Sequence, residues 1–314
     1  MGKTAFIFPG QGSQAVGMGR DFHESSPRAR AVFEAADRVL DTPLSRMCFE
    51  GPGEQLERTD VQQPAIFVTS VAIWEALLEE GLPGAVLQAA AGLSLGEYTA
   101  LHVAGAIGFE DALRLVARRG RFMQEAAEAA ASGMVSLIGA DEDIARRLCE
   151  QAAGGQVLAP ANYNCPGQIV LSGAAEACER AVNLAPEVGC RAVPLKVAGA
   201  FHSPFMETAG RKLGQALADT AVAGTAVPVI ANVNAEPHRD PESIRAWLQQ
   251  QVTHPVRWCS SIEALIADGF DRFVEVGPGR VLTGLMRKIN RKMTAVNIST
   301  VETARAELAA LSAA

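Results

Sequence analysis

A serine lies in the sequence pattern that builds a nucleophile elbow. Ser94 is the centre of the run GLSLG at 92–96, after the apolar stretch 85–91 and before the helical stretch 97–103. In such an elbow a strand turns sharply into a helix, and the flanking glycines leave the space that lifts the serine hydroxyl into the open. A serine that caps a helix N-terminus beside turn glycines would give the same pattern. The elbow indicates a nucleophile but names no reaction.

A serine hydroxyl is a weak nucleophile at neutral pH, so it needs a base within hydrogen-bonding distance. His202 is the favoured base among the five histidines, because it lies in a glycine- and proline-bounded loop, Gly199–Pro204, that follows a predicted strand. A histidine of a surface loop is the alternative interpretation, and no nearby aspartate is evident that would orient the ring. The other histidines lie in polar loops, on the elbow helix or at a helix end: His23, His238, His102 and His254.

The loop after the first predicted strand offers backbone N–H groups. Its run GQGSQA at 10–15 superficially fits the dinucleotide fingerprint G-x-G-x-x-G/A. A nucleotide site also needs an acidic residue at the end of a second strand about twenty residues on, and that region is predicted to be helical. We therefore interpret the loop as part of an oxyanion hole, with one N–H from Gln11 and one from Leu95, the residue after the nucleophile.

One arginine of the predicted helix 109–123 lies off its polar side. Asp111, Arg114, Arg118, Arg121 and Glu125 form a polar stripe at helical spacing, whereas Arg119 shares a face with apolar residues. A guanidinium carried towards a core is costly unless it is paired with an anion. That anion could be a protein carboxylate in a structural ion pair, or a substrate carboxylate held by the two-pronged guanidinium.

Strand-length apolar runs alternate with helical patterns along most of the chain, which is typical of a parallel sheet covered by helices. The predicted strands lie at 5–8, 85–91, 227–233 and 272–276, and the predicted helices lie at 27–39, 64–80, 97–103, 109–123, 241–251 and 281–292. Between them, strand 134–138, helix 141–153, strands 157–161 and 168–171, helix 174–184 and strand 191–197 follow in the β-α-β-β-α-β order of a ferredoxin-like unit. We predict an α/β fold in which a large domain, residues 1–128 and 199–314, carries an inserted ferredoxin-like α+β subdomain, residues 129–198.

Composition restricts the classes of partner. The chain has 314 residues and a net charge of −7, which disfavours nonspecific binding to nucleic acid. Its six cysteines are scattered, with no CxxC pair and no spacing to histidine that suits a metal, so we predict reduced thiols and no metal site. The apolar run near the N-terminus is too short for a signal peptide, and no membrane span is evident. These features predict a cytoplasmic protein.

Six motifs in order along the chain resemble those of the malonyl-CoA:acyl carrier protein transacylase family, and the resemblance covers essentially the full chain. They are FPGQGSQ at 8–14, GLSLG at 92–96, RGRFMQ at 119–124, NYNCPGQ at 162–168, GAFHS at 199–203 and EVGPG at 275–279. The family fold is a hydrolase-like α/β domain with a ferredoxin-like insertion, in agreement with the pattern of predicted elements.

The resemblance implies roles for the residues singled out above. Ser94 would be the acylated nucleophile and His202 its base. Arg119 would bind the malonyl carboxylate, and the Gln11 and Leu95 amides would form the oxyanion hole. The same resemblance implies malonyl-CoA and acyl carrier protein as partners, no nucleic acid or membrane partner, and no metal or redox cofactor.

Further positions take their expected roles from the family alone. The backbone carbonyl of Gln251 would orient the base in place of an aspartate, and Asn162 and Asn164 would support the site. Leu93 stands where many relatives carry histidine, and we expect it to affect packing or access rather than chemistry. Phe201 would disfavour methylmalonyl by its bulk.

Two other functions fit parts of the pattern. The elbow and its base would serve water as well as a thiol, so a serine thioesterase or acyl hydrolase is the nearest alternative. A module that binds acyl carrier protein without turnover is the second. The basic run 287–292 could dock the acidic carrier protein or CoA phosphates, although cations at a helix C-terminus are also favoured by the helix dipole.

Overall fold

A computed structural model describes residues 2–312 of the chain. Five strands form a fully parallel sheet in the order β7-β2-β1-β8-β9. Their bounds are β1, Lys3–Phe8; β2, Ala89–Gly92; β7, Val229–Ile230; β8, Phe270–Val276; and β9, Thr294–Ile298. The central strands β1 and β2 run in register, with Phe8 opposite Gly92. The loops that follow β1 and β2 therefore leave the sheet side by side, at its carboxyl edge.

Four strands form a separate antiparallel sheet in the order β4-β5-β3-β6. Their bounds are β3, Ser132–Ile138; β4, Leu158–Cys165; β5, Gln168–Ala174; and β6, Arg191–Pro194. Helices α8, Glu142–Ala152, and α9, Ala175–Leu184, complete the predicted β-α-β-β-α-β order. The antiparallel sheet and these two helices enclose their own apolar core around Leu137, Leu148 and Leu171. The predicted α/β fold class is confirmed, while the exact domain boundaries, 128/129 and 198/199, stay a prediction.

The remaining helices surround the parallel sheet or connect its strands. They are α1, Arg20–Ser25; α2, Pro27–Leu40; α3, Leu44–Glu50; α4, Gly53–Leu56; α5, Thr59–Glu79; α6, Gly96–Val103; α7, Phe109–Glu128; α10, Glu207–Ala218; α11, Pro241–Gln251; α12, Trp258–Ala267; α13, Val281–Ile289; and α14, Val301–Ser312. Short 3₁₀ turns lie at Gly84–Val86, Ala185–Val188 and Pro204–Met206. Phe6 and Phe8 of β1 pack edge-on against Trp74 of α5, which places α5 in the main core.

Several bounds differ from the sequence-based prediction. Helix α5 begins at Thr59, so Pro64 lies inside the helix instead of starting it. Helix α13 ends at Ile289, because Asn290 is extended, with φ −153° and ψ 110°. The predicted strand 227–233 contributes only Val229–Ile230 to the sheet, since the next N–H groups donate to Glu236 and to the side chain of Glu97 instead of to a neighbouring strand.

Helix α5 is, within residues 2–312, the one helix long and apolar enough to cross a membrane. Its most apolar window is 83% buried inside the protein, as in the core helix of a globular domain. Every residue from Pro64 to Trp74 is buried against the rest of the chain. The apolar character of α5 is therefore accounted for by its place in the core.

Candidate active site

The elbow forms where β2 turns into α6, and its tightness explains its glycines. Ser94 has φ 52°, a left-handed conformation that is uncommon outside glycine and typical of a strained nucleophile turn. A Cβ on Gly92 would lie 1.9 Å from the carbonyl carbon of Gly96, and one on Gly96 would lie 2.0 Å from the Phe8 carbonyl oxygen. A side chain at 92 would therefore push the start of α6 away from β2, and one at 96 would push the elbow away from β1. The strand–turn–helix context that the sequence predicted is present.

Ser94 and His202 form a hydrogen-bonded pair in a largely buried site. The Ser94 Oγ lies 2.8 Å from His202 Nε2, and His202 Nδ1 lies 2.7 Å from the backbone carbonyl oxygen of Gln251. A carbonyl only accepts, so Nδ1 carries the proton and donates to it. Burial, reinforced by the positive charge of Arg119, lowers the pKa of His202 to about 4. The imidazole is therefore neutral at pH 7, and its free Nε2 accepts the Ser94 hydroxyl proton.

Arg119 lies in the interior, as its position off the polar stripe of α7 predicted, and is only 1% exposed. Its Nη1 donates to Gln63 Oε1 at 2.6 Å, and its Nη2 donates to Ser94 Oγ at 2.9 Å and to Gln251 Oε1 at 2.8 Å. Its buried Nε–H has no partner among residues 2–312, and its guanidinium lies 5.3 Å from the centre of the Tyr98 ring. Burial lowers the pKa of Arg119.

No protein carboxylate pairs with Arg119 within residues 2–312. The sequence allows a structural ion pair of Arg119 with a protein carboxylate, and no such pair is present in the described part of the chain. Gly120, the next residue, allows the close approach that places Arg119 here, because a Cβ on Gly120 would lie 2.8 Å from the Thr59 carbonyl oxygen. A buried cation without an anionic partner beside a nucleophilic hydroxyl is a site for an anionic group of a ligand.

The predicted oxyanion-hole residues lie on the two neighbouring loops at the carboxyl edge of the sheet. Gln11 follows β1 and is partly buried, while Leu95 follows Ser94 and is buried. A Cβ on Gly10 would lie 2.3 Å from the Leu93 carbonyl oxygen, so the two loops touch through their backbones. Within residues 2–312, the backbone N–H groups of Gln11 and Leu95 donate to no protein acceptor. Their role in an oxyanion hole stays a prediction.

Asn162 and Asn164 lie where β4 meets the segment before α12. Asn162 forms a parallel bridge with Val256, and the buried Asn164 Oδ1 has no partner among residues 2–312. In the same described range, neither side chain hydrogen-bonds to Ser94, His202 or Arg119. The structure places both residues on β4, with Asn162 beside the segment before α12, and their supporting role stays a prediction.

Two apolar neighbours of the site are also placed. Phe201, directly before His202, is 3% exposed and packs into the main core. Leu93 is partly buried and packs against a second apolar cluster that includes Ile7, Cys165 and Trp258. The effect of Phe201 on substrate choice stays a prediction, while the location of Leu93 agrees with a packing role.

Sequence reasoning missed a polar network behind the elbow. Asn232 and His238 are buried and each hydrogen-bonds to the buried Glu97, and the Gln251 side chain donates to the same carboxylate while its backbone carbonyl accepts from His202. The sequence predicts a polar loop at His238, whereas the residue is only 6% exposed and its Nε2 lies 2.9 Å from Glu97 Oε1. One signal was available in the sequence, because Glu97 is the single acidic residue of an otherwise uncharged helix, GEYTALHV.

The basic run lies apart from this network. Arg287 and Lys288 are exposed on the last turn of α13, and Arg291 and Lys292 follow in the exposed turn beyond it. Lys288 Nζ donates to Gln168 Oε1 of β5 at 3.1 Å, so the run lies beside the antiparallel sheet. Docking of a carrier protein or of CoA phosphates on it stays a prediction.

Comparisons with known proteins agree with the geometry. The acyl transferase domain family matches residues 5–308. The chain is 43% identical over 305 residues to the malonyl CoA-acyl carrier protein transacylase of Bacillus subtilis, covering 96% of this chain and 95% of that protein. It is 42% identical over 315 residues to the protein of the same name from Salmonella typhimurium, covering 100% of this chain and 99% of that protein.

Solved structures of similar proteins extend the comparison to the fold. The acyl-carrier-protein-S-malonyltransferase of Bartonella henselae superposes with a TM-score of 0.95 at 42% identity, covering 99% of both chains. A malonyl-transacylase solved in complex with its type II PKS acyl-carrier protein superposes with a TM-score of 0.95 at 38% identity, covering 98% of this chain and 99% of that one. Family model, sequence identity and fold thus agree over nearly the whole length, and the chain belongs to the acyl transferase domain family, among the malonyl-CoA:acyl carrier protein transacylases.

Proposed function

We propose that the protein transfers a malonyl group from CoA to the pantetheine thiol of acyl carrier protein through an ester on Ser94. The observation that carries this proposal is the buried Arg119, which has no protein carboxylate partner among residues 2–312 and lies 2.9 Å from the Ser94 hydroxyl. A malonyl thioester has a carboxylate a short distance from its reactive carbonyl. Arg119 would bind the carboxylate while Ser94 reaches the carbonyl.

In the first half-reaction, Ser94 Oγ attacks the thioester carbonyl of malonyl-CoA while His202 Nε2 takes its proton. The oxygen of the tetrahedral intermediate accepts hydrogen bonds from the Gln11 and Leu95 amides, each worth roughly 3 kcal/mol of transition-state stabilisation in comparable sites. The intermediate then collapses. The C–S bond breaks, the CoA thiolate takes the proton from His202, and malonyl-Ser94 remains.

In the second half-reaction, the thiol of the carrier's pantetheine occupies the place that CoA has left. His202 Nε2 takes the thiol proton, and the sulfur attacks the ester carbonyl of malonyl-Ser94. Collapse of this intermediate breaks the C–O bond, and His202 returns its proton to Ser94 Oγ. The two half-reactions together consume and release no net electrons or protons. These side chains therefore suffice for the chemistry without a metal or redox cofactor.

The His202–Gln251 contact replaces the aspartate of a Ser-His-Asp triad. A neutral carbonyl fixes the ring orientation and the tautomer, but it stabilises the imidazolium less than a carboxylate would. Arg119 adds a positive charge near the same ring. Both features keep His202 a weak base, which suits reversible exchange between two thioesters because no strongly driven proton transfer is needed.

The nearest alternative is a hydrolase in which water attacks malonyl-Ser94. The enclosure of the site favours transfer, since Ser94 is 8% exposed and His202 is 4% exposed. A carrier-binding module without turnover is disfavoured by the hydrogen-bonded geometry of Ser94, His202 and Arg119, which binding alone would not require. We further propose that the protein works in the cytoplasm, where CoA esters and acyl carrier protein are available.

The test separates transfer from hydrolysis. Protein is loaded with malonyl-CoA, freed of excess ester, and held in buffer while its intact mass is followed. The proposal predicts that the malonyl-enzyme persists in buffer and is discharged when acyl carrier protein bearing its pantetheine thiol is added, with malonyl recovered on the carrier. Discharge in buffer at the same rate with and without the carrier would identify a hydrolase, and failure to load would leave a binding module.

A further inference from the structure

Glu97 is a fully buried carboxylate directly behind the nucleophile. It lies in the first turn of α6 and is 0% exposed. Its Oε2 accepts from the Asn232 backbone N–H at 3.0 Å and from Gln251 Nε2 at 2.8 Å, while its Oε1 lies 2.9 Å from His238 Nε2. A buried carboxylate is costly unless donors surround it. Its partners lie 135 to 154 residues further along the chain, in the segment 232–251, so Glu97 joins α6 to a distant part of the chain.

The carboxylate contributes to the orientation of the Gln251 side chain. Gln251 Nε2 donates to Glu97 Oε2 and also to the Ser94 backbone carbonyl at 3.0 Å, and both of these groups can only accept. The amide oxygen must then face the other way, where it accepts from Arg119 Nη2 at 2.8 Å. A flipped amide would direct N–H groups at the guanidinium, which has only donors. Glu97 and the Ser94 carbonyl together therefore fix the orientation of the amide that holds Arg119.

The same carboxylate supports the left-handed turn of the nucleophile through Asn232. Glu97 holds the Asn232 backbone, and the Asn232 side chain accepts from the Ser94 N–H at 2.6 Å and donates to the Gly92 carbonyl at 2.7 Å. The backbone groups at both ends of the turn are therefore paired. A strained conformation of this kind persists only where its surroundings over-determine it.

We propose that Glu97 is a positioning residue that aligns the Arg119 guanidinium with Ser94 through Gln251 and so sets the preference for acyl groups that carry a carboxylate. The proposal rests on the proposed function. Glu97 touches neither Ser94 Oγ nor Arg119 by a hydrogen bond of its own within residues 2–312, and it acts through the orientation of the Gln251 amide and of the Asn232 backbone.

Two substitutions with side chains about as long as glutamate separate the effect of the hydrogen-bond acceptor from the effect of side-chain bulk. Glu97→Met removes one of the two acceptors of Gln251 Nε2 and leaves the amide held on that side by the Ser94 carbonyl alone. Glu97→Gln is the matched control, since its amide oxygen can keep facing Asn232 and Gln251 while its NH₂ faces His238. His238 can accept that contact by changing tautomer, because its Nδ1 has no partner among residues 2–312.

The readout is the ratio of the single-turnover rates at which malonyl-CoA and acetyl-CoA load the protein, measured by intact mass. Loss of one well-placed charged hydrogen bond predicts that Glu97→Met lowers the malonyl-to-acetyl ratio about 10- to 100-fold, while Glu97→Gln stays within about 3-fold of the parent protein. A merely destabilised protein would load both esters less and leave the ratio unchanged. A folded Glu97→Met protein with the parent ratio would overturn the proposal, as would an equal loss of ratio in Glu97→Gln.

A second variant decides the matter if Glu97→Met does not fold. Gln251→Met keeps the Glu97 contacts with Asn232 and His238 and keeps the backbone carbonyl that orients His202, but it removes the amide between Glu97 and Arg119. The proposal predicts the same loss of malonyl-to-acetyl ratio, and an unchanged ratio would refute it. Failure of the parent protein to load malonyl at all would instead sink the proposed function, so the two failures are distinguishable.

Discussion

The lowered pKa of His202 makes the stability of the fold depend on pH in a way that one substitution can isolate. Burial and the charge of Arg119 lower this pKa to about 4, whereas an unfolded histidine titrates near 6.5. Between these two values the unfolded chain binds a proton that the folded chain does not. The free energy of unfolding therefore falls as the pH falls through this window, and the effect is complete below about pH 4.

The magnitude follows from the same two pKa values. At pH 7 both states are mostly unprotonated at this residue, and at pH 5 the unfolded state alone is protonated. The linkage predicts that His202 costs the protein ~2 kcal/mol of stability between pH 7 and pH 5, and ~3 kcal/mol by pH 4. His202→Gln lacks the titrating ring and should lack this part of the pH dependence, while all other groups titrate as before.

The assay is urea unfolding of both proteins at pH 7 and pH 5, with stability obtained by linear extrapolation. The parent protein should lose ~2 kcal/mol more than His202→Gln between the two pH values. Equal losses would mean that His202 titrates normally in the folded state, and the description of a buried neutral base would be wrong. A larger loss in His202→Gln would contradict the sign of the effect.

Three further predictions concern the substrate, the elbow and the docking surface. Arg119→Ala should lower the loading rate with malonyl-CoA about 100-fold relative to acetyl-CoA, because two charged hydrogen bonds to the substrate carboxylate are lost; unchanged discrimination between the esters would refute the binding role. Gly96→Ala should abolish loading and lower the stability by about 2 kcal/mol or more, because its Cβ has no space beside β1. Gly284 lies in open space inside α13, so Gly284→Ala should be neutral or slightly stabilising. Equal effects of the two substitutions would contradict the packing argument. If the basic run docks the carrier, charge reversal at Arg287 and Lys288 should raise the apparent KM for acyl carrier protein at low salt and leave malonyl-CoA loading unchanged. An unaltered KM would exclude that role.

The elements that local patterns specify were predictable. The strand, sharp turn and helix around Ser94 follow from apolar runs and two glycines, and the inserted β-α-β-β-α-β unit follows from the order of its segments. The interior position of Arg119 follows from helical spacing alone. Each strand, turn and helix in these features is encoded within about twenty residues of chain, so periodicity and turn chemistry suffice to find it.

The polar network was not predictable, because its members are brought together only by the tertiary fold. Glu97 meets Asn232, His238 and Gln251 across more than a hundred residues, and none of the last three lies in a pattern that marks a buried polar contact. The short strand Val229–Ile230 shows the same effect, since the apolar run 227–233 predicted a longer one. The strand does not continue to residue 233, because the Asn232 N–H donates to the Glu97 side chain instead of to a neighbouring strand.

The central claim is that Ser94 carries the malonyl group. Its most direct test is to load the protein with malonyl-CoA, digest it, and locate the added mass by peptide sequencing, with Ser94→Ala and His202→Gln loaded in parallel. We expect the malonyl group on the peptide that contains Ser94, none on Ser94→Ala, and strongly slowed loading of His202→Gln. A malonyl group on any other residue, or undiminished loading of Ser94→Ala, would contradict the account.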